Sequence, residues 1–483
     1  MPGSEDNQGA ASSDGEQAGG EFDLVVIGGG PGGYAAALYA ASAGMSVAVV
    51  EKDKVGGTCL HRGCVPAKEL LETASVLRTV AGAKEFGIDA GQPVVDLAAS
   101  QERKQKVVSQ VHRGLSGLMR ARGITTFEGT GVLHPGRVIR IDDGTELSGR
   151  NVVVSTGSVP RTLPGFDVDG TTVLTSDEVL ALDRVPGRVA VIGGGAIGCE
   201  FASLLADLGS QVTILEALPS LLAGCDKDVV AVVGRSFRRR GIVVRTGVSI
   251  EGREVAEPGT RVLIGGGDAV EVDAVVVSIG RRPLSENVLA DGTGVAVDDR
   301  GFVVVDDHMR TGAEGVYALG DLVNTPQLAH VAFAEAIVAV KDMLGEPAVP
   351  VDYERISWAI YCHPEVAFAG LTEEAARARG IDVVVKTDPF GGNSRARILG
   401  ETDGLVKVVA ERAPGAQGER AGRILGVHMV GPWATEQLGQ GYLSVNWEAT
   451  VDEVAAFVQP HPTLSEAFGE TVLAMTGRSL HVS

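Results

Sequence analysis

Two cysteines five positions apart, Cys59 and Cys64, lie in the segment Gly56-Gly57-Thr58-Cys59-Leu60-His61-Arg62-Gly63-Cys64-Val65-Pro66-Ala67-Lys68, just after a glycine-rich stretch. The chemistry such a pair offers is a disulfide made and broken in turnover. The plainer alternative is two buried thiols that never meet. An ideal helix would hold the two Cα atoms about 8.6 Å apart, whereas a disulfide needs them within roughly 7 Å. A bonded pair therefore requires a break in the helix. Gly56, Gly57 and Gly63 permit that break, and Pro66 suits a first helical turn. The spacing predicts a helix that starts near Cys64 and runs through Lys68 and Leu71. Cys64 would then sit at a helix N-terminus, where the dipole favours a thiolate.

The remaining cysteines, Cys199, Cys225 and Cys362, are too few and too scattered for a secreted disulfide scaffold, and no Cys-x-x-Cys or His-rich cluster points to a metal site. A net charge of −20 and an aromatic content of 4% argue against nucleic acid and anionic membrane as partners. Residues 1–20 contain no Lys or Arg and read as a disordered acidic tail rather than a targeting segment. The uncharged run Leu24–Val50 is long enough to suggest a membrane span, but six glycines and Pro31 interrupt it. It reads as strand, glycine turn, helix, strand, and the protein as cytoplasmic.

That unit occurs twice. Asp23-Leu24-Val25-Val26-Ile27 leads into Gly28, Gly30 and Gly33, and a second strand ends at Glu51. Arg188-Val189-Ala190-Val191-Ile192 leads into Gly193, Gly195 and Gly198, and the following strand ends at Glu216. First glycine to acid is 23 positions in each copy (51 − 28 and 216 − 193). G-x-G-x-x-G after a strand brings a pyrophosphate against a helix N-terminus, and the acid reaches a ribose. Two such units imply two dinucleotides, FAD and a nicotinamide. Glu216 would accept from a ribose 2′-hydroxyl and repel a 2′-phosphate, and the next basic residue is Lys227, which favours NAD over NADP.

Further motifs follow in order: Ser155-Thr156-Gly157-Ser158, Ser278-Ile279-Gly280-Arg281-Arg282-Pro283, Gly315-Val316-Tyr317-Ala318-Leu319-Gly320-Asp321, Asn393-Ser394-Arg395-Ala396 and His461-Pro462-Thr463-Leu464-Ser465-Glu466. With the cysteine segment, they make the chain resemble the pyridine nucleotide–disulfide oxidoreductases over roughly residues 22 to 480, most closely the branch that oxidises dihydrolipoamide. The resemblance implies an α/β fold with two Rossmann-like dinucleotide-binding domains and a C-terminal α+β dimerisation domain. Its expected bounds are 21–158 for FAD, 159–283 for NAD, 284–350 for a part returning to the flavin, and 351–483 for the dimer interface.

The resemblance also assigns roles. FAD falls to the first glycine motif, with contacts from Gly131, Thr156, Gly157, Ser158 and Asp321, and with Leu328, Ala329 and His330 flanking the flavin. Val248 and Gly280 match NAD contacts, and Lys68 and Glu200 match an ion pair beside the flavin. His461 matches a catalytic base, oriented by Glu466 and reaching into the partner subunit of a homodimer. The implied reaction is oxidation of protein-bound dihydrolipoamide to lipoamide, with Cys59 as interchange thiol, Cys64 nearer the flavin and NAD⁺ as acceptor. The implied partners are lipoyl domains and the acyltransferase core of 2-oxoacid dehydrogenase complexes. Two other readings are an NAD(P)H-dependent reductase of a small disulfide, such as that of glutathione or mycothiol, and a non-catalytic docking subunit. Two positions depart from the family pattern: His61 stands where Asn is common, which suggests a tuner of thiol acidity, and Cys362 stands where Thr is common.

Overall fold

The computed structural model describes residues 20–413 and 420–481. The expected acidic tail, except Gly20, lies outside the described residues, as does most of the Pro/Gly-containing stretch that the sequence places between the strands Leu405–Arg412 and Ala421–Gly431.

The first sheet grows from short Val- and Ile-rich strands that are buried on both faces, as parallel strands under helices must be. Glu21–Ile27 lies at its centre, parallel to Val47–Glu51 on one side and Glu146–Val154 on the other. Thr125–Glu128 extends the first edge, and the antiparallel pair Val138–Ile141 and Gly131–His134 extends the second. Val316–Ala318 also pairs in parallel with Glu146–Val154. The chain therefore leaves this sheet, builds a second unit and returns. The helix Ala329–Met343 then packs its Ala336, Ala339 and Val340 against Ala36, Ala37 and Ala40 of the helix Pro31–Ser42.

The second unit repeats the plan. Its sheet runs Val243–Thr246, Gln211–Glu216, Arg188–Ile192, Ala274–Val277, Val173–Leu174, all parallel, with an antiparallel three-stranded sheet beside it. The C-terminal unit is a five-stranded antiparallel sheet, ordered Ser357–Ile360, Glu365–Gly370, Ala421–Gly431, Leu405–Arg412, Val383–Pro389. One core joins it to the second unit, since Val366, Phe368, Leu405 and Val430 pack with Cys199, Phe201 and Phe237. The architecture is α/β, with two Rossmann-like units and a C-terminal α+β unit. Among the described residues, no helix is long and apolar enough to cross a membrane.

Candidate active site

The two glycine turns are copies of one device, and each of the three glycines in a turn has its own reason to be there. Gly28 and Gly193 have φ of +97° and +107°, a region glycine enters freely. A Cβ on Gly28 would lie 2.4 Å from the Ser155 carbonyl oxygen, and one on Gly193 would lie 2.3 Å from that of Ser278. A Cβ on Gly33 would fall 1.8 Å from Gly28 O, and one on Gly198 would fall 1.9 Å from Gly193 O. Protein packing alone therefore demands the first and third glycines. At Gly30 and Gly195 a Cβ would meet nothing within 4 Å, and φ is an ordinary −69° and −75°. The middle glycine is needed only if something outside the protein comes close.

Each middle glycine precedes a helix, Pro31–Ser42 or Ala196–Asp207, whose first N–H groups have no side-chain cap. A pyrophosphate satisfies both the open space and the uncapped amides. Glu51 Oε2 accepts from Gly29 N at 2.7 Å and Oε1 from Asp53 N at 2.9 Å. Glu216 does the same with Gly194 N at 2.5 Å and Leu218 N at 2.7 Å. Each carboxylate thus closes its own turn first, and each oxygen keeps a lone pair for a ribose hydroxyl.

The cysteine segment is two helices, Gly57–Arg62 and Cys64–Gly82, broken at Gly63, where φ is −145° and ψ −115°. The second helix begins at Cys64, as the spacing predicts. The short first one carries Cys59 and was not foreseen. Both cysteines are free thiols here, and the Cys59 S–H donates to Cys64 Sγ. That bond is the main reason the Cys59 pKa is raised, with burial adding to it. The same bond is the main reason the Cys64 pKa is lowered, to about 7, assisted by Lys68 and opposed by burial and Glu200. Cys64 is open to solvent, while Cys59 is half-buried.

Lys68, one turn on, donates to Glu200 Oε1 at 3.0 Å and Oε2 at 2.9 Å, and its ammonium stands 4.7 Å from the centre of the Tyr361 ring. Burial opposes the Lys68 charge, but Glu200 outweighs it and holds the pKa above the ordinary lysine value. Glu200 Oε1 also accepts from Tyr361 N at 2.9 Å, so the buried carboxylate is satisfied from three sides.

A redox-capable dithiol therefore lies between two dinucleotide cradles, and comparison with known proteins gives the lineage. Residues 22–336 match the family model "Pyridine nucleotide-disulphide oxidoreductase", and residues 356–472 match its dimerisation domain. The chain belongs to the pyridine nucleotide-disulphide oxidoreductases. A dihydrolipoyl dehydrogenase of Bacillus subtilis is 38% identical over 95% of this chain and 99% of its own length. One from Haloferax volcanii is 38% identical over 95% and 97%. Among solved structures, LpdA from Mycobacterium tuberculosis has a TM-score of 0.86 at 27% identity, covering 94% of this chain and 99% of its own. The HOCl-induced flavoprotein disulfide reductase RclA from Escherichia coli has 0.84 at 26%, with coverage of 94% and 99%.

This oxidoreductase uses FAD and NAD, and the two cradles fit them. Asp321, in a short turn after Val316–Ala318, accepts from Ser158 Oγ and lies 3.7 Å from Arg281 Nε. Arg281 in turn donates to Ser158 Oγ at 2.7 Å and Ser158 O at 2.8 Å. Thr156 Oγ1 donates to Leu284 O at 2.6 Å, beside Gly157 with its φ of +75°. Leu328 and Ala329 start the helix Ala329–Met343, and His330 bonds Ser357 O at 2.8 Å.

Gly131 is buried, where a Cβ would crowd Val50 and Ile139. Val248 N donates to Glu216 O at 3.1 Å, next to the second cradle, and Gly280 has φ +102° with open space around it.

Sequence reasoning missed two supports. Arg281, quoted only within a motif, ties Asp321 to Ser158. Glu335, fully buried, accepts from Gly320 N at 2.7 Å and from Tyr353 OH at 3.0 Å, which fixes the turn carrying Asp321. Its place inside a helix with no charged neighbour in the sequence was the only signal. Cys362 is a buried thiol that donates to Pro364 O at 3.2 Å, and burial pushes its pKa up, so it is an inert core group.

His461 lies on the loop before the helix Glu466–Ala474, and its Nδ1 meets Glu466 Oε2 at 3.0 Å. The loop is pinned by Asn393 Nδ2 donating to Thr463 O at 3.0 Å and Thr463 Oγ1 donating to Pro460 O at 2.8 Å. The Glu466 side chain is 13% exposed and that of His461 64%, so the carboxylate is rooted while the imidazole projects from the surface. With Nδ1 turned to the carboxylate, Nε2 is the ring nitrogen on the exposed side of the imidazole.

Proposed function

We propose that this chain oxidises protein-bound dihydrolipoamide to lipoamide and reduces NAD⁺, as a dihydrolipoyl dehydrogenase. The observation that carries the reading is the geometry of the thiol pair: Cys59 and Cys64 sit on two helices broken at Gly63, and Lys68, one turn beyond Cys64, bonds Glu200 on the helix of the second dinucleotide cradle. The near-full-length likeness to curated dihydrolipoyl dehydrogenases supplies the substrate.

In the oxidised enzyme Cys59 and Cys64 are joined. His461 of the partner subunit takes a proton from one substrate thiol, and the thiolate attacks Cys59 Sγ. The Cys59–Cys64 bond breaks, and Cys64, the more acidic thiol, leaves as thiolate. The second substrate thiol attacks the substrate sulfur of the mixed disulfide and displaces Cys59, its proton passing to the departing Cys59 sulfur, and lipoamide departs as the disulfide. Two electrons now rest on the cysteine pair. FAD, held at the first cradle by Gly28, Gly30 and Gly33 with Glu51 and Asp321, would supply the two-electron chemistry that links this pair to an NAD⁺ held at the second cradle by Gly193, Gly195, Gly198 and Glu216. Lys68 and Glu200 hold a fixed charge beside that transfer, and Glu466 keeps His461 in one tautomer.

The site residues act within a homodimer whose sites are shared, in the cytoplasm, with lipoyl domains and the acyltransferase core of 2-oxoacid dehydrogenase complexes as partners. The dimerisation domain at 356–472 and the outward-facing His461 support the shared site. The test is anaerobic mixing of purified enzyme with dihydrolipoamide and NAD⁺. NADH should form with loss of one dithiol each, and Cys59→Ser or Cys64→Ser should stop it.

A further inference from the structure

The redox helix and the helix of the second cradle are strapped together at two places, and only one strap lies at the reaction centre. Lys68 of Cys64–Gly82 bonds Glu200 of Ala196–Asp207, and farther along Arg78 pairs with Asp207. Both straps run in the same N-to-C order, so the two helices are parallel. Their N-termini, Cys64 and Gly195, therefore open in the same direction. From Lys68 to Arg78 is about 15 Å of helix and from Glu200 to Asp207 about 10 Å, a difference the long arginine bridges. Between the straps, Leu70, Leu71 and Ala74 share a core with Phe201, Ala202 and Leu205.

Asp207 has a second partner. Its Oδ1 accepts from Arg240 Nη2 at 2.7 Å, and Arg240 also donates to Ser203 O at 2.9 Å, Ser203 Oγ at 3.0 Å and His363 O at 2.7 Å. His363 N returns a bond to Ser203 Oγ at 3.0 Å. Asp207 is 8% exposed, Arg240 17% and Arg78 29%. The cluster joins the FAD unit through Arg78, the NAD unit through Asp207 and Arg240, and the C-terminal unit through His363. His363 takes part through its backbone alone, and burial, with Arg78 and Arg240 nearby, lowers its imidazole pKa to about 3.

We infer that Asp207, clamped between Arg78 and Arg240, is a positioning residue that fixes the second dinucleotide cradle relative to the redox helix and so sets the alignment for hydride transfer to NAD⁺. This rests on the proposed function. The dithiol-to-cysteine step uses only the redox segment and His461, whereas the step to NAD⁺ needs the second unit aligned with the first. Loosening the clamp should separate the two.

The experiment measures both half-reactions by anaerobic stopped flow in the holoenzyme, for wild type, Asp207→Asn, Arg78→Met and Arg78→Lys. Backbone hydrogen exchange is followed over residues 196–207 and 361–365 as a readout independent of turnover. Reduction by dihydrolipoamide should stay within about twofold, while reoxidation at saturating NAD⁺ slows about tenfold or more in Asp207→Asn and Arg78→Met, the scale of a sub-ångström to ångström misplacement. NAD⁺ affinity should hold, exchange over both segments should rise, and Arg78→Lys should recover most of the rate. Equal slowing of both half-reactions, or no change in reoxidation, overturns the inference. Should Asp207→Asn fail to fold, the Arg78 pair decides it alone. Failure of wild type to react with dihydrolipoamide would instead strike the proposed function.

Discussion

His61 and His112 meet at a single carbonyl. His61 Nε2 lies 3.0 Å from Val55 O and His112 Nδ1 lies 3.1 Å from the same oxygen, with ring centres 5.1 Å apart. A carbonyl only accepts, so both nitrogens donate. His112 comes from the long helix Leu97–Ala121, and the shared oxygen clips the redox segment to it. What the structure shows of His61 is this hold on the segment, through Val55 O.

Burial, and His112 beside it, lower the His61 pKa. The unfolded chain therefore binds a proton below about pH 6.5 that the folded chain does not take up until a lower pH. The clip's stabilisation is full above that point and is lost as pH falls through the lowered value. Unfolding midpoints measured from pH 8 to 5 should fall more steeply in wild type than in His61→Asn, and thiolate titration should be unchanged in the variant.

The thiol asymmetry has a direct optical test. In the reduced enzyme, thiolate absorbance should titrate with a midpoint near pH 7, belong to Cys64 and vanish in Cys64→Ser. Replacing Cys59 with Ala removes the largest cause of that acidity, so the midpoint should move upward. Cys59→Ser, which keeps a donor, should move it less.

The glycine turns separate folding from binding. Gly33→Ala and Gly198→Ala place a Cβ within 2 Å of a backbone oxygen and should unfold the turn, costing several kcal/mol or preventing expression. Gly30→Ala and Gly195→Ala leave the protein core untouched. Their apoproteins should melt within about 1 kcal/mol of wild type, the usual range for a substitution in open space, while FAD retention falls in the first and NAD affinity in the second.

Much of this was legible in the chain. Paired glycine motifs at equal spacing, a redox pair too far apart for a straight helix, and a His-Pro…Glu turn each carry local physics that sequence states directly. The break at Gly63, with a new helix from Cys64, follows from glycine and proline preferences and appears as expected. Near the C-terminus, the sequence predicts helices over about 434–446 and 464–476; the first is broken into Ala434–Gln437 and Gly439–Asn446, and the second forms over Glu466–Ala474. What stayed hidden depends on contacts between distant segments. Glu335 beneath Asp321, Arg281 on Ser158, His112 beside His61 and Arg78 on Asp207 sit on separate elements, and no spacing along the chain announces them.

The outward imidazole gives a test of site sharing. Cys59→Ser and His461→Gln homodimers should each lose at least about 100-fold of activity, the scale of removing a nucleophile or a general base. Mixed dimers of the two variants should recover, because one site then combines an intact Cys59 with an intact His461. A mixture that stays inactive would place both groups in one subunit's own site.

The most direct test of the relay from dithiol to NAD⁺ compares donors and acceptors on one preparation. One NADH per dihydrolipoamide oxidised is expected, with little reaction with NADP⁺, since the Glu216 carboxylate beside the second glycine turn would repel a 2′-phosphate, and a gain of NADP⁺ use relative to NAD⁺ in Glu216→Ala. No NADH from dihydrolipoamide, with rapid NADPH-driven reduction of glutathione or mycothiol disulfide, would contradict it.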